Sequence, residues 1–230
     1  MKFAYEYQML KPAERWLKAQ GLETKREFPT PWGICDLVGC SFNRESVKTR
    51  LELGQRKPVG PQLRVALLLQ VPDHETGKSI SVQTLSRRFG EFIDESRIAL
   101  EMDKLEKDRF VQRRSRGGYQ RLNGWMPLHK RLIAVELKLS RITEALHQAR
   151  NNLEFADESY VGLPAKIADR LIESEKKSEF QRQGIGVLAI DHTGCRVVLE
   201  YRPAKSVTNG ALQMHCSERF WRTRLKDTAT

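Results

Sequence analysis

Glu136 and Lys138 stand two residues apart in an apolar run that begins at Leu132 and ends at Leu139. Period-two alternation predicts a strand over 132–139. Ile133, Val135, Leu137 and Leu139 then share one face, and Ala134, Glu136 and Lys138 the other. Two opposite charges in a short apolar strand are costly unless they pair or bind something. A carboxylate beside an ammonium on one rigid strand suits metal-assisted phosphodiester hydrolysis. The same pattern also describes a solvent-facing strand with an incidental ion pair. His74, His129, His147 and His192 have no comparable setting and are read as surface groups.

A chain of 230 residues is long enough for one large domain or two small ones. Its 40 Lys and Arg against 29 Asp and Glu leave a net charge of +11, which favours a polyanionic partner, most often nucleic acid. The first residues lack the sustained apolar stretch of a secretory signal. The longest apolar run, 65–69, is too short to span a bilayer, so no membrane partner is expected. Cys35, Cys40, Cys195 and Cys216 form no Cys-x-x-Cys pair and have no histidine at zinc-ligand spacing. They read as the reduced thiols of a cytoplasmic protein.

The elements that would position Glu136 and Lys138 follow from periodicity and punctuation. Residues 5–20 predict a helix with Tyr5, Met9, Ala13, Trp16 and Leu17 on one stripe, Glu14 off it and Gly21 as its stop. An edge strand is expected over 24–28, a Pro-rich turn over 29–33 and a strand over 34–39. Asp36 shares a face of that strand with Ile34 and Val38, a carboxylate on an otherwise apolar side. A further strand is expected over 47–53. Beyond 127, the pattern predicts the strand at 132–139 and a helix capped by Ser140, with Ile142, Leu146, Ala149 and Leu153 buried. A strand over 159–164 and one helix over 165–182 come next. Two strands, 186–191 and 195–201, and a short helix from 211 complete the chain.

The character changes at Pro58-Val59-Gly60-Pro61. Helices are expected over 63–71, 81–90 with Ser81 as N-cap, and 94–107 with Ile98, Met102 and Leu105 buried. A strand pair, 110–114 and 119–122, follows. Three helices and a hairpin in this order resemble a winged helix-turn-helix, inserted over 58–127 between flanking parts 1–57 and 128–230. The resemblance implies DNA contacts from Arg97 on the third helix and from Arg113, Arg114, Arg116 and Arg121 on the wing. The third helix carries five acidic residues against three basic ones, which suits a phosphate-lined groove poorly.

With 58–127 set aside, helix, Asp36 strand, Glu136-x-Lys138 strand and helix with Gln148 occur in an order that resembles the PD-(D/E)XK nuclease superfamily. That resemblance implies an α/β, restriction-endonuclease-like core, a mixed central sheet flanked by helices. It assigns Asp36 and Glu136 as metal carboxylates, with the Leu137 carbonyl as a third ligand, and Lys138 as the catalytic lysine. Gln148 matches the glutamine of the following helix, and Glu14 the acid that some members carry on the first. Hard oxygen donors imply Mg2+ or Mn2+. Cys35 stands before Asp36 where the motif has proline. The implied activity is endonucleolytic cleavage of DNA, double-stranded, by a chain able to work as a homodimer. A non-catalytic DNA-binding regulator or assembly factor on the same scaffold, or an RNA-processing nuclease, are the alternatives.

Overall fold

The computed structural model describes residues 3–90, 92–115, 117–122, 127–203 and 209–221. After a 3-10 turn at Glu6–Met9 come α1 (Leu10–Ala19), β1 (Glu23–Thr30), β2 (Gly33–Phe42), α2 (Arg44–Glu52), α3 (Gln62–Gln70), α4 (Val82–Phe89) and α5 (Glu95–Lys107). The chain continues through β3 (Val111–Arg113), β4 (Tyr119–Arg121), β5 (His129–Leu137), α6 (Ile142–Asn152) and β6 (Glu158–Pro164). It ends with α7 (Ala165–Glu173), α8 (Lys176–Gln183), β7 (Gly186–Ile190), β8 (Cys195–Leu199) and α9 (Gly210–Glu218). Two compact units result, Met1–Ser41 with Lys130–Asn209, and Phe42–His129 with Gly210–Thr230.

The first unit is α/β. Its six-stranded sheet runs β1-β2-β5-β6-β7-β8 and is mixed. β1 and β2 pair antiparallel, as do β7 and β8, while β5, β6 and β7 are parallel neighbours joined through helices. Met9, Ala13 and Leu17 of the first helical segment pack on one sheet face with Leu37, Ile133, Val135 and Leu137. The alternation read over 132–139 thus places its odd-numbered residues 133, 135 and 137 together in a core. On the other face Ala145, Leu146 and Ala149 of α6 pack with Ala168 and Leu171 of α7, Val161 and Val187. Gly162 of β6 is required by close packing, since a Cβ there would stand 2.6 Å from Leu137 Cδ2 and 2.8 Å from Ile190 Cδ1.

The second unit holds α2–α5, the antiparallel β3–β4 ribbon and α9. Val65, Leu68, Leu85, Ile98, Met102, Leu105 and Phe110 form its core. Arg50 of α2 is fully buried between the rings of Phe110 and Trp221, at 5.0 and 4.9 Å. Its guanidinium pairs with Glu218 of α9, whose other oxygen accepts from Val59 N at 2.9 Å. The expected boundary at residue 57 therefore falls inside this unit, which also takes in the chain from Gly210.

Residues 47–53 are helical, not extended. Asn43 accepts from Glu45 N and Ser46 N and starts α2, and Val47, Arg50 and Leu51 then meet at helical spacing. The single helix expected over 165–182 breaks at Ser174, whose extended backbone ends α7 before α8 begins. Ser140 does not cap α6, because Arg141 is the N-cap residue and makes no side-chain cap bond. Ser81 does cap α4, accepting from Thr84 N at 3.1 Å. Among the described residues no helix is long and apolar enough to cross a membrane.

Candidate active site

Asp36 and Glu136 come together on the adjacent strands β2 and β5. Lys138 N–H donates to Gly162 O of β6 at 3.1 Å. Strand alternation turns the preceding Leu137 N–H toward β2, where Asp36 Oδ2 accepts it at 2.7 Å. Glu136 is 2% exposed. Its Oε1 accepts from Asn152 Nδ2 of α6 at 2.6 Å, and its Oε2 is buried with no hydrogen-bond donor.

The electrostatics follow from this burial. Desolvation, reinforced by the charge of Asp36, pushes the Glu136 carboxyl up to about 7. Burial also raises Asp36, with Glu6 adding repulsion, while Leu137 N–H and Lys138 pull it back. Asn152, the Cys35 thiol and the Lys138 charge favour the ionised Glu136 only in part and do not outweigh its burial. Burial and Glu136 push the neighbouring Cys35 thiol far up, so it stays a thiol.

Lys138 lies just past the end of β5 and is 7% exposed. Its Nζ stands 3.9 Å from Glu6 Oε2 and 3.8 Å from Glu144 Oε1. At those lengths the attraction is Coulombic, not a hydrogen bond, and the ammonium protons remain available. Glu6 is anchored because its Oε1 accepts from Leu139 N at 3.2 Å.

Helix α6 supplies one side of the site. Glu144 reaches Lys138 and Asn152 reaches Glu136, eight residues apart on one helix. Gln148 is midway between them at four-residue spacing, so it shares their face. Its Oε1 is buried without a hydrogen-bond partner. Asn152 is itself fixed, since its Oδ1 accepts from Trp32 Nε1 at 3.3 Å while its Nδ2 donates to Glu136. Turning the amide over would lose both bonds.

No protein-family model matches the chain, and no curated protein does. A solved structure, the SPO1766 protein of unknown function from Silicibacter pomeroyi, superposes on 100% of this chain and 91% of its own at a TM-score of 0.42 and 10% identity.

Of the five residues expected to form the catalytic set, Asp36, Glu136, Lys138 and Gln148 converge. Glu14 is committed elsewhere. Burial pushes its carboxyl upward, but hydrogen bonds from Arg26, Lys18 and Thr24 outweigh that and hold it at about 2. The acid that stands beside Lys138 is Glu6, in the 3-10 turn before α1. Glu6, Glu144 and Asn152 were absent from the sequence expectation. The last two were accessible from it, being four residues either side of Gln148.

The chemistry of the donor set fits a divalent cation. Two carboxyls on adjacent strands, both raised by burial and one with an orphaned buried oxygen, provide negative charge and free lone pairs in one place. Among the described residues no group of three His, Cys, Asp or Glu side chains could hold a metal ion.

The arginines expected to meet DNA lie in the second unit. Arg97 pairs with Glu101 at 3.4 Å. Arg113 pairs with Asp103 at 2.8 Å and lies over the Tyr119 ring. Arg121 pairs with Asp73 at 3.7 Å. Arg114 is exposed. Arg116 lies outside the described residues. The acids of α5, which the sequence set against groove binding, thus reach the β3–β4 ribbon.

Proposed function

We propose that the protein is a metal-dependent endodeoxyribonuclease with a restriction-endonuclease-like core, in which the 58–127 segment acts as a winged-helix arm that assists DNA binding. The observation that carries this reading is the convergence of Asp36, Glu136 and Lys138, with an orphaned oxygen on Glu136. An ion pair kept only for stability would close its hydrogen bonds, whereas this set leaves both acceptor and donor capacity unused.

Mg2+ or Mn2+ held by Asp36, Glu136 and the Leu137 carbonyl would polarise the scissile phosphate and acidify an attacking water. The chain's own residues do the rest. Leu137 N–H holds Asp36 Oδ2, and Asn152 holds Glu136 Oε1, so each carboxylate is pre-oriented. Lys138 presents its unspent ammonium protons to the phosphate oxygens, where negative charge grows during displacement. Gln148 Oε1 is free to accept a hydrogen bond from a water on its face of α6 and so to orient it. Both carboxylates are deprotonated in the working state, so activity rises as pH passes through about 7. The four cysteines are free thiols, in keeping with a cytoplasmic setting.

The test is cleavage of supercoiled, linear duplex and single-stranded DNA in Mg2+ or Mn2+, with EDTA as control. Lys138→Met should slow cleavage by about 100-fold or more while DNA binding persists. Absence of cleavage of every DNA form in either metal refutes the reading.

A further inference from the structure

Among the described residues, three of the five exposed large hydrophobic ones flank site residues. Ile34 is 61% exposed two positions before Asp36, and Tyr5 and Tyr7, at 61% and 65%, bracket Glu6. The two tyrosine rings stack on one another, 5.6 Å apart and 15° from parallel. They are also held in place. Gln8 Oε1 accepts from Ala4 N at 2.8 Å and from Tyr5 N at 3.1 Å, which fixes the backbone on one side. Glu6, between them, is bonded to Leu139 N and attracted to Lys138. The alternation of inward Glu6 and outward tyrosines ties a rigid aromatic pair to the rim of the catalytic set. Consecutive Cα atoms are about 3.8 Å apart, so the tyrosines rise from the backbone immediately on either side of Glu6.

We propose that Tyr5 and Tyr7 are a stacking platform for an unpaired nucleobase, and that the substrate is therefore single-stranded DNA or an unpaired stretch beside a duplex. The proposal rests on the nuclease reading for the catalytic step but not for binding. A preordered ring pair accepts a base on its free face with little further loss of side-chain freedom. Duplex DNA has no base face to give, because its bases are already stacked, whereas every unpaired base has one. Tyrosine suits an exposed platform because its ring packs while its hydroxyl stays in water. Lys11 and Arg15 of α1, both exposed, follow Tyr7 at four-residue spacing and provide charge for the adjoining phosphates. The platform thus selects strand form, while Lys138 and the carboxylates act on the phosphate.

The experiment measures anisotropy of a labelled oligodeoxynucleotide of about 15 nucleotides, single-stranded or annealed to its full complement as a blunt duplex, in EDTA and at one salt concentration. Wild type is compared with the double variants Tyr5→Ala/Tyr7→Ala and Tyr5→Phe/Tyr7→Phe, and the same proteins are then assayed for cleavage in Mn2+. The alanine pair should weaken single-strand binding about tenfold or more and leave binding of the blunt duplex within about twofold. The phenylalanine pair should bind as wild type, which separates stacking from a folding defect. Tyrosine-dependent binding without cleavage by any of the proteins supports the platform and removes the nuclease reading. Cleavage and single-strand binding unchanged in the alanine pair overturn the platform and leave the nuclease reading standing. Equal losses on strand and blunt duplex, or tyrosine-dependent binding as tight for the matching RNA, overturn it too.

Discussion

Glu136→Gln should make the metal-free protein more stable at pH 8. The native carboxyl has its proton affinity raised from an ordinary 4.5 to about 7. A group raised in this way favours the folded state fully below its unfolded value. That advantage is lost as pH climbs through the folded one. A shift of about 2.5 units at about 1.36 kcal/mol each amounts to roughly 3 kcal/mol of destabilisation in wild type at pH 8. At pH 5.5 the same relation leaves only about 1.4 kcal/mol. Glutamine escapes the penalty. Its Oε1 still accepts from Asn152, and its amide nitrogen stands where Glu136 Oε2 lacks a donor and can donate toward Asp36. The assay is urea denaturation in EDTA across pH 5.5 to 8, followed by Trp fluorescence and circular dichroism. The gain over wild type should grow by about 2 kcal/mol across that range, or about 4–8 °C in a thermal melt. Mn2+ at pH 8 should stabilise wild type and not the variant. A variant no more stable than wild type at pH 8, or a gain independent of pH, would refute the assignment of Glu136 as a buried, uncompensated carboxylate.

Glu14→Gln should cost about 1 kcal/mol of stability at pH 7, an effect that fades as pH falls from about 4.5 toward 2, and should leave DNA cleavage unchanged. Glu6→Gln should do the reverse, keeping the melting temperature within a few degrees and lowering the cleavage rate. Asn152→Ala removes the donor that lowers the proton affinity of Glu136, so the acid limb of the pH-rate profile should move to higher pH, by about one unit. An unmoved limb with a uniformly lower rate would assign Asn152 a packing role only.

The strand carrying Glu136 was legible because alternation is a local property that burial on one face enforces. Ile133, Val135 and Leu137 share a core, and the odd polar residue Glu136 on the other face is a signal that composition cannot hide. Gln148 was named from the family resemblance and not from periodicity, and its neighbours Glu144 and Asn152 one turn away needed only the helical repeat to be followed in both directions. Glu6 was not. Its role depends on a 3-10 turn preceding α1 and on the position of Leu139 N in space, neither of which leaves a periodic trace. Residues 47–53 misled because a short alternating run also fits a helix. Asn43 decided the matter as a cap lying outside that run. Arg50 is a further case. A buried arginine in an exposed-looking helix is explained only by Glu218, Phe110 and Trp221, all distant in sequence.

Departures from local comfort concentrate around the same few residues. The β1–β2 ladder pairs Arg26 with Leu37 and Phe28 with Cys35 but passes over Glu27 and Asp36. Glu27 has φ of 48°, a left-handed conformation that costs a side-chain-bearing residue on the order of 1 kcal/mol. The Asp36 carboxylate accepts from Leu137 N of the neighbouring strand. One strand over, Glu136 is buried beside it with an oxygen unsatisfied. Strain, repulsion and desolvation all act against folding at this point, and a sheet kept for stability alone would place an apolar residue at 136 and an ordinary ladder pair at 27 and 36. Such a concentration of unfavourable terms is intelligible if a ligand relieves them, and a cation shared by two carboxylates relieves the repulsion and the orphaned oxygen together. The same reasoning separates this pair from Glu14, whose carboxylate is fully matched by Arg26, Lys18 and Thr24 and leaves nothing for a ligand to satisfy.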